Sequence, residues 1–296
     1  MTSATISATN VSSEREAQKI IRPYLGMVAW PSVVLAFGII GLFALVCTLG
    51  TLQIIPLWAG LIINSLLLYM IQTPLHEACH GNIAGRESSW MWLNHLIGFI
   101  CGAILLHEYR AFRHMHLMHH RETNDDELDP DHWVKVKHPL AVLFRCFTIV
   151  PYYHHFFIQK IALNPKVPAN FKTTVHVMAV YSLLYVLAFW LCAFGYWREV
   201  FMLWLGPHWI GSAIIIYFFA YLPHKPHDTK NRWRATKIVK ISGPAARFVN
   251  WLYMFQNYHL IHHLFPRIPF YLYPEAFHDL KPVLEKEGSR IHDYGR

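Results

Sequence analysis

Histidine sets the chemistry open to this sequence. There are 21 of them, and most fall in four groups. His76 and His80 lie in HEACH, and His114, His116, His119 and His120 in RHMHLMHH. His224 and His227 lie in LPHKPHD, and His259, His262 and His263 in NYHLIHH. H-x-x-x-H puts two imidazoles one turn apart on one helical face. H-x-x-H-H puts three at i, i+3 and i+4, so adjacent histidines can reach different ions. Imidazole suits iron, copper, zinc and nickel. Eight such ligands are too many for one ion, so two metals is the economical count. HEACH alone satisfies the zinc-protease pattern H-E-x-x-H, with Glu77 as base. A zinc protease needs three protein ligands and an open position, and has no use for two further H-x-x-H-H groups. A zinc intramembrane protease is therefore a distant reading, as is a non-catalytic lipid-binding or receptor protein. The isolated histidines His95, His107, His138, His176, His208, His278 and His292 read as packing or surface residues.

The elements that must position these groups are hydrophobic. Of 296 residues 54% are hydrophobic and 15% charged, against about 25% charged in soluble domains. Four apolar blocks, 27–49, 52–69, 175–197 and 200–222, each have about the 20 residues needed to cross a bilayer core as helix. The expected fold is an all-α membrane protein with four transmembrane helices in two hairpins and a cytoplasmic helical cap carrying the histidines. The first block starts too far in, and lacks the small-residue cleavage site, for a signal peptide. Of the 26 basic residues, only Arg198 falls in a hairpin turn. The N-terminus, central loop and C-terminal region are therefore expected in the cytoplasm, and every histidine cluster falls there. The net charge of +8 either serves topology alone or attracts anionic lipid or an acidic partner. Residues 90–106 form a shorter apolar stretch between the first two clusters. A full crossing would separate those clusters, so the stretch is expected to lie in the interface or dip back. Residues 140–161, rich in aromatics, are expected at the interface. Residues 1–24 read as an N-terminal cytoplasmic segment, disordered to about Arg15, and 25–296 as one domain. Cys47, Cys79, Cys101, Cys146 and Cys192 lack C-x-x-C spacing and predict no disulfides. No repeat, low-complexity tract or nucleic-acid motif is found.

Together the three boxes resemble those of the integral-membrane desaturase and hydroxylase superfamily, over roughly Gln72 to Tyr273. In detail HMHLMHHRETNDDELDPDHW, YLPHKPHDTKNRW and QNYHLIHHLFPRIPFYLY are similar to the cyanobacterial-type β-carotene hydroxylases. The resemblance implies a non-haem di-iron centre using O2 as co-substrate. The implied ligands are His76, His80, His116, His119, His120, His259, His262 and His263, with His224 of YLPH matching a further one. His227 and His114 stand where the resemblance expects other residues, and read as supports for a ligand or as surface groups. Asp125, Asp129, Asp131 and Asp228 are candidate acceptors for ring N–H groups, or serve as loop turns and caps. Glu77 is expected to orient a neighbour. The implied activity is hydroxylation of a carotenoid ring, β-carotene to zeaxanthin. An acyl-lipid or acyl-CoA desaturase and a carotenoid ketolase are alternatives sharing the same iron site. The aromatics Phe265, Phe270, Tyr271 and Tyr273 are expected to frame a wide entrance for a ring, or to anchor the cap at the interface. With no flavin, nucleotide, haem or iron–sulfur motif present, two electrons must come from an external donor such as ferredoxin docking on the basic face.

Overall fold

A backbone in hydrocarbon has no water to bond, so long apolar runs form helices that satisfy their own N–H and C=O groups. The computed structural model describes residues 8–164 and 170–294 and is built in this way. In chain order the helices are α1 (Ala8–Ile21), α2 (Trp30–Thr51), α3 (Leu57–His80), α4 (Met91–Ile104), α5 (Tyr109–Arg121), α6 (Pro139–Phe147) and α7 (Ile149–Phe157). They continue with α8 (Asn170–Leu191), α9 (Trp197–Val200), α10 (Gly206–Ile215), α11 (Leu222–His224), α12 (Ala246–Leu252), α13 (His259–Leu264) and α14 (Tyr273–Lys286).

Helices α2 and α3, and the helical stretch from Phe171 to His224, are long and apolar enough to cross a membrane. Their outward side chains, Val34, Leu183, Phe189 and Phe194 among them, are exposed, as suits a surface facing lipid. The long stretch breaks at Gly195, whose φ of 97° is open to glycine at little cost. Leu187 of α8 and Leu203 beyond the break line one groove, so the chain doubles back there. Asn64 of α3 donates to the Leu203 carbonyl at 2.8 Å, tying the two apolar units together. α3 runs on past the second apolar block and carries the HEACH box in the same helix.

Residues 90–106 form α4 and the turn after it, and the chain then bends by 99° into α5. Two glycines allow so tight a return. A Cβ on Gly98 would meet the Tyr109 ring at 2.7 Å, and one on Gly102 the His107 carbonyl oxygen at 2.7 Å. α5 thus comes back alongside α3, with the second histidine box beside the first. α6 leaves Leu140, Leu143 and Phe144 exposed.

Two expectations need correction. The fold is not all helix: β1 (Lys237–Ile241) and β2 (Arg290–Tyr294) pair in parallel, Lys237 opposite Arg290. Three of the five residues of KIVKI are β-branched, which suits a strand, and Ile238 is fully buried. Residues 8–15 belong to α1 and are not disordered. Ser13, Ala17 and Ile21 are all buried and fall four apart, a helical stripe set among polar neighbours. Glu14 pairs with Arg232, and Lys286 of α14 with Glu16. Residues 1–7 of that expectation lie outside the described residues.

Candidate metal centre

Four segments bring nine histidines together. α3 supplies His76 and His80, one turn apart. α5 supplies His116, His119 and His120, and α11 supplies His224. α13 supplies His259, His262 and His263. α5 starts firmly because Glu108 caps it, accepting from the Ala111 amide at 2.8 Å. The nine rings sort into two clusters. One contains His76, His80, His116, His120 and His262, the other His119, His224, His259 and His263. Within each cluster the ligand nitrogens all lie within 4.8 Å of one another. The adjacent pairs His119–His120 and His262–His263 split between clusters, as their spacing predicts. The clusters touch where His120 stacks on His263, ring centroids 4.4 Å apart.

The Nε2 atoms converge. In the first cluster His80 and His116 are 2.8 Å apart, His116 and His120 3.1 Å, and His120 and His262 2.8 Å. In the second, His119 and His263 are 3.2 Å apart, His224 and His259 3.0 Å, and His259 and His263 3.1 Å. Two nitrogens bound at right angles to one ion at about 2.1 Å lie about 3 Å apart, so these spacings fit shared metal ions. The outer ring nitrogens strengthen the point. Asp129 Oδ1 takes the His119 Nδ1 proton at 2.7 Å, and Gln256 Oε1 that of His259 at 2.8 Å. In a neutral ring the proton sits on Nδ1, leaving a lone pair on Nε2 aimed inward. Lone pairs facing one another at 3 Å in a dry interior call for a cation between them. Tyr273 Oη lies 3.0 Å from His262 Nδ1, and Thr123 Oγ1 3.3 Å from His263 Nδ1.

The acidic candidates separate. Asp129 orients His119 and also accepts from the Asn124 and Asp131 amides. Asp131 lies 3.6 Å from the same His119 nitrogen and accepts from Tyr153 Oη. Asp125 instead caps its own loop and pairs with Lys230, and Asp228 pairs with Arg290. Both are engaged with these partners instead. Glu77 is fully buried, but its partners are Ser32, Asn82 and the Phe270 amide. Asn82 in turn donates to the Pro266 carbonyl at 2.9 Å, so Glu77 locks the chain after the third box, and among the described residues none of its hydrogen bonds goes to a histidine of the clusters. His227 is stacked on His224 at 6.0 Å and belongs to neither cluster, and nor does His114. The expected aromatic entrance is not formed: Tyr273 and Phe270 are fully buried, and Tyr273 serves His262.

A cavity lies between the clusters. His76 and His116 of one and His119 and His259 of the other reach it, and Phe112, Met115, Ile215, Ile216, Phe219 and Ala220 supply its apolar wall. Gln72, one turn before His76, borders it with a buried Oε1 that has no partner.

Comparisons with known proteins agree with this geometry. The family model described as fatty acid desaturase matches residues 52–295. The sn-1 oleoyl-lipid 12-desaturase of Anabaena variabilis is 25% identical over 74% of this chain and 66% of its own length. The Delta(9) fatty acid conjugase-like enzyme of Dimorphotheca sinuata is 25% identical over 71% and 64%. A fatty acid desaturase of Bacillus subtilis (strain 168) is 25% identical over 70% and 63%. The chain thus spans about two thirds of the length of these curated relatives. The finer likeness to β-carotene hydroxylases is not shown by these matches, which are desaturases and conjugases.

Proposed function

The chain belongs to the fatty acid desaturase family, and from that premise we propose that it is an O2-dependent di-iron desaturase acting on the acyl chain of a membrane lipid. His76, His80, His116, His120 and His262 would hold one iron, and His119, His224, His259 and His263 the other. When bound, such a pair supplies O2 activation and the removal of hydrogen from unactivated C–H bonds. The chain's own residues do the rest. Asp129, Gln256, Tyr273 and Thr123 fix ring orientation. Phe112, Met115, Ile215 and Phe219 grip the chain by apolar contact and keep water from it.

The observation that carries this reading is the cavity that meets both clusters between apolar walls. Its apolar wall suits a hydrocarbon substrate. The relatives are named for acting on fatty acyl chains, which favours an acyl chain over an ionone ring, so carotenoid hydroxylation gives way to acyl desaturation. We place the clusters on the cytoplasmic side, with four spans in two hairpins, because the only basic residue in a hairpin turn is Arg198. α4 and α5 would then dip into the membrane and return. The two electrons would come from an external carrier such as ferredoxin.

The test is the fatty-acid profile of a host that makes saturated and monounsaturated lipids, with β-carotene also present. New acyl double bonds, absent with His119→Ala, are expected. Hydroxylated carotene with unchanged acyl chains would overturn the desaturase reading.

A further inference from the structure

A second cavity lies beside the one at the clusters. His107, Phe112, Met115 and Tyr153 line both, and the second lies between α5, α7 and α8. The outer wall of this second cavity includes Ile158 and Met178, which are 44% and 51% exposed. Both residues therefore face inward and outward at once. On a surface of exposed apolar side chains, such a gap opens to lipid and not to water. Two cavities thus stand in series between the exposed face at α7 and α8 and the histidine clusters, divided by His107, Phe112, Met115 and Tyr153.

This divide is not purely apolar. His107 is 8% exposed, and its Nδ1 is enclosed without a hydrogen-bond partner. Its Nε2 lies 3.3 Å from Ser212 Oγ. If the hydroxyl donates there, Nδ1 carries the ring proton and points a donor at whatever fills the space. His154 borders the same cavity. Its Nδ1 donates to the Val150 carbonyl at 2.8 Å, and its Nε2 is again enclosed and partnerless. It offers an acceptor for a hydroxyl or an ordered water. Leaving such groups unpaired in a dry interior is unfavourable, so a polar atom of a ligand is the economical occupant. His107, Phe112 and His116 are stacked in series, at 5.9 Å and then 5.6 Å. A polar group at His107 would thus be one aromatic ring away from the first cluster.

We propose that the substrate enters sideways from the bilayer between Ile158 and Met178, as a chain still esterified in a membrane lipid, and that His107 holds the ester carbonyl. This rests on the desaturase reading for the identity of the chain, but the passage can be tested without turnover. The protein is placed in nanodiscs of phosphatidylcholine whose acyl chain carries a photoactivatable diazirine, and the labelled residues are mapped by mass spectrometry. Label is expected on Phe112 and Met115 as well as at the mouth. Met178→Trp, a change at the surface, should cut the inner label at least fivefold and leave labelling of α2 unchanged. Label confined to the outer faces of α2, α3 and α8 would overturn the passage. So would inner label that Met178→Trp does not change. His107→Phe should shift the inner label along the chain by releasing the ester, and an unchanged position would remove His107 from the proposal. Inner label in a protein that makes no double bonds would uphold the passage and count against the desaturase reading alone.

Discussion

Asp129→Asn should separate the two clusters in a metal-retention assay. Asp129 uses Oδ1 for His119 Nδ1 at 2.7 Å and for the Asp131 amide at 2.8 Å, and Oδ2 for the Asn124 amide at 2.7 Å. All three partners are donors. An asparagine of the same shape has one oxygen for them, so its NH2 must face at least one donor, in a group that is 2% exposed. A buried donor left without an acceptor costs about 1–3 kcal/mol. Losing the group that orients a metal-binding histidine weakens metal affinity by roughly 10–100-fold, or about 1.4–2.7 kcal/mol. Of the three partners only His119 belongs to a cluster, the second, and asparagine leaves it at best a neutral acceptor in place of a carboxylate. Iron should be measured by elemental analysis after stepwise exposure to a chelator. Wild type should keep two equivalents over the range in which Asp129→Asn releases one, at 10–100-fold lower chelator, while holding the other. Release of both equivalents together at the wild-type concentration would refute the division into clusters and the role of Asp129.

Other changes probe the remaining contacts. Tyr273→Phe removes the partner of His262 in the first cluster and should loosen the other equivalent by roughly fivefold, at about 1 kcal/mol for one hydrogen bond, read in the same titration. Glu77→Gln should lower stability by about 1–3 kcal/mol in thermal unfolding and leave two irons in place, since Glu77 braces Asn82 and Phe270 and, among the described residues, bonds to no histidine of the clusters. His227→Phe should keep both irons, whereas His224→Ala should lose one, by elemental analysis. A reporter inserted after Arg198 should face away from the cytoplasm, and one after Lys237 should face it. If His107 holds the ester, chains of different lengths should gain their double bond at a constant count from the ester end, by mass spectrometry of the products.

Much of the centre was legible because histidine boxes are local. The i, i+3, i+4 spacing is set by helix geometry, and it made the split of His119 from His120 and of His262 from His263 foreseeable. The apolar blocks likewise located α2, α3 and the stretch that ends at His224. What stayed hidden depends on contacts between distant segments made by ordinary residue types. Nothing in the run ETNDDELDPD marks Asp129 above Asp125. Only the turn at Pro130 brings one to His119 and leaves the other with Lys230. Gln256 could have been suspected, since it stands three residues before His259 and so can share its side of the chain. Tyr273 was grouped with Phe270 as a possible entrance because aromatic character says nothing about burial. His107 read as a packing residue, and only its position in both cavities gives it another part. The stripe of Ser13, Ala17 and Ile21 is too sparse to outweigh its polar neighbours until α14 is there to cover it.

The most direct measurement is the metal content of the full-length protein purified without oxygen, combined with Mössbauer spectroscopy of 57Fe-grown material. Two irons per chain in nitrogen-rich surroundings, falling when His76 or His259 is changed to alanine, are the predicted result. A single zinc, or no transition metal in a folded protein, would contradict the two-cluster account.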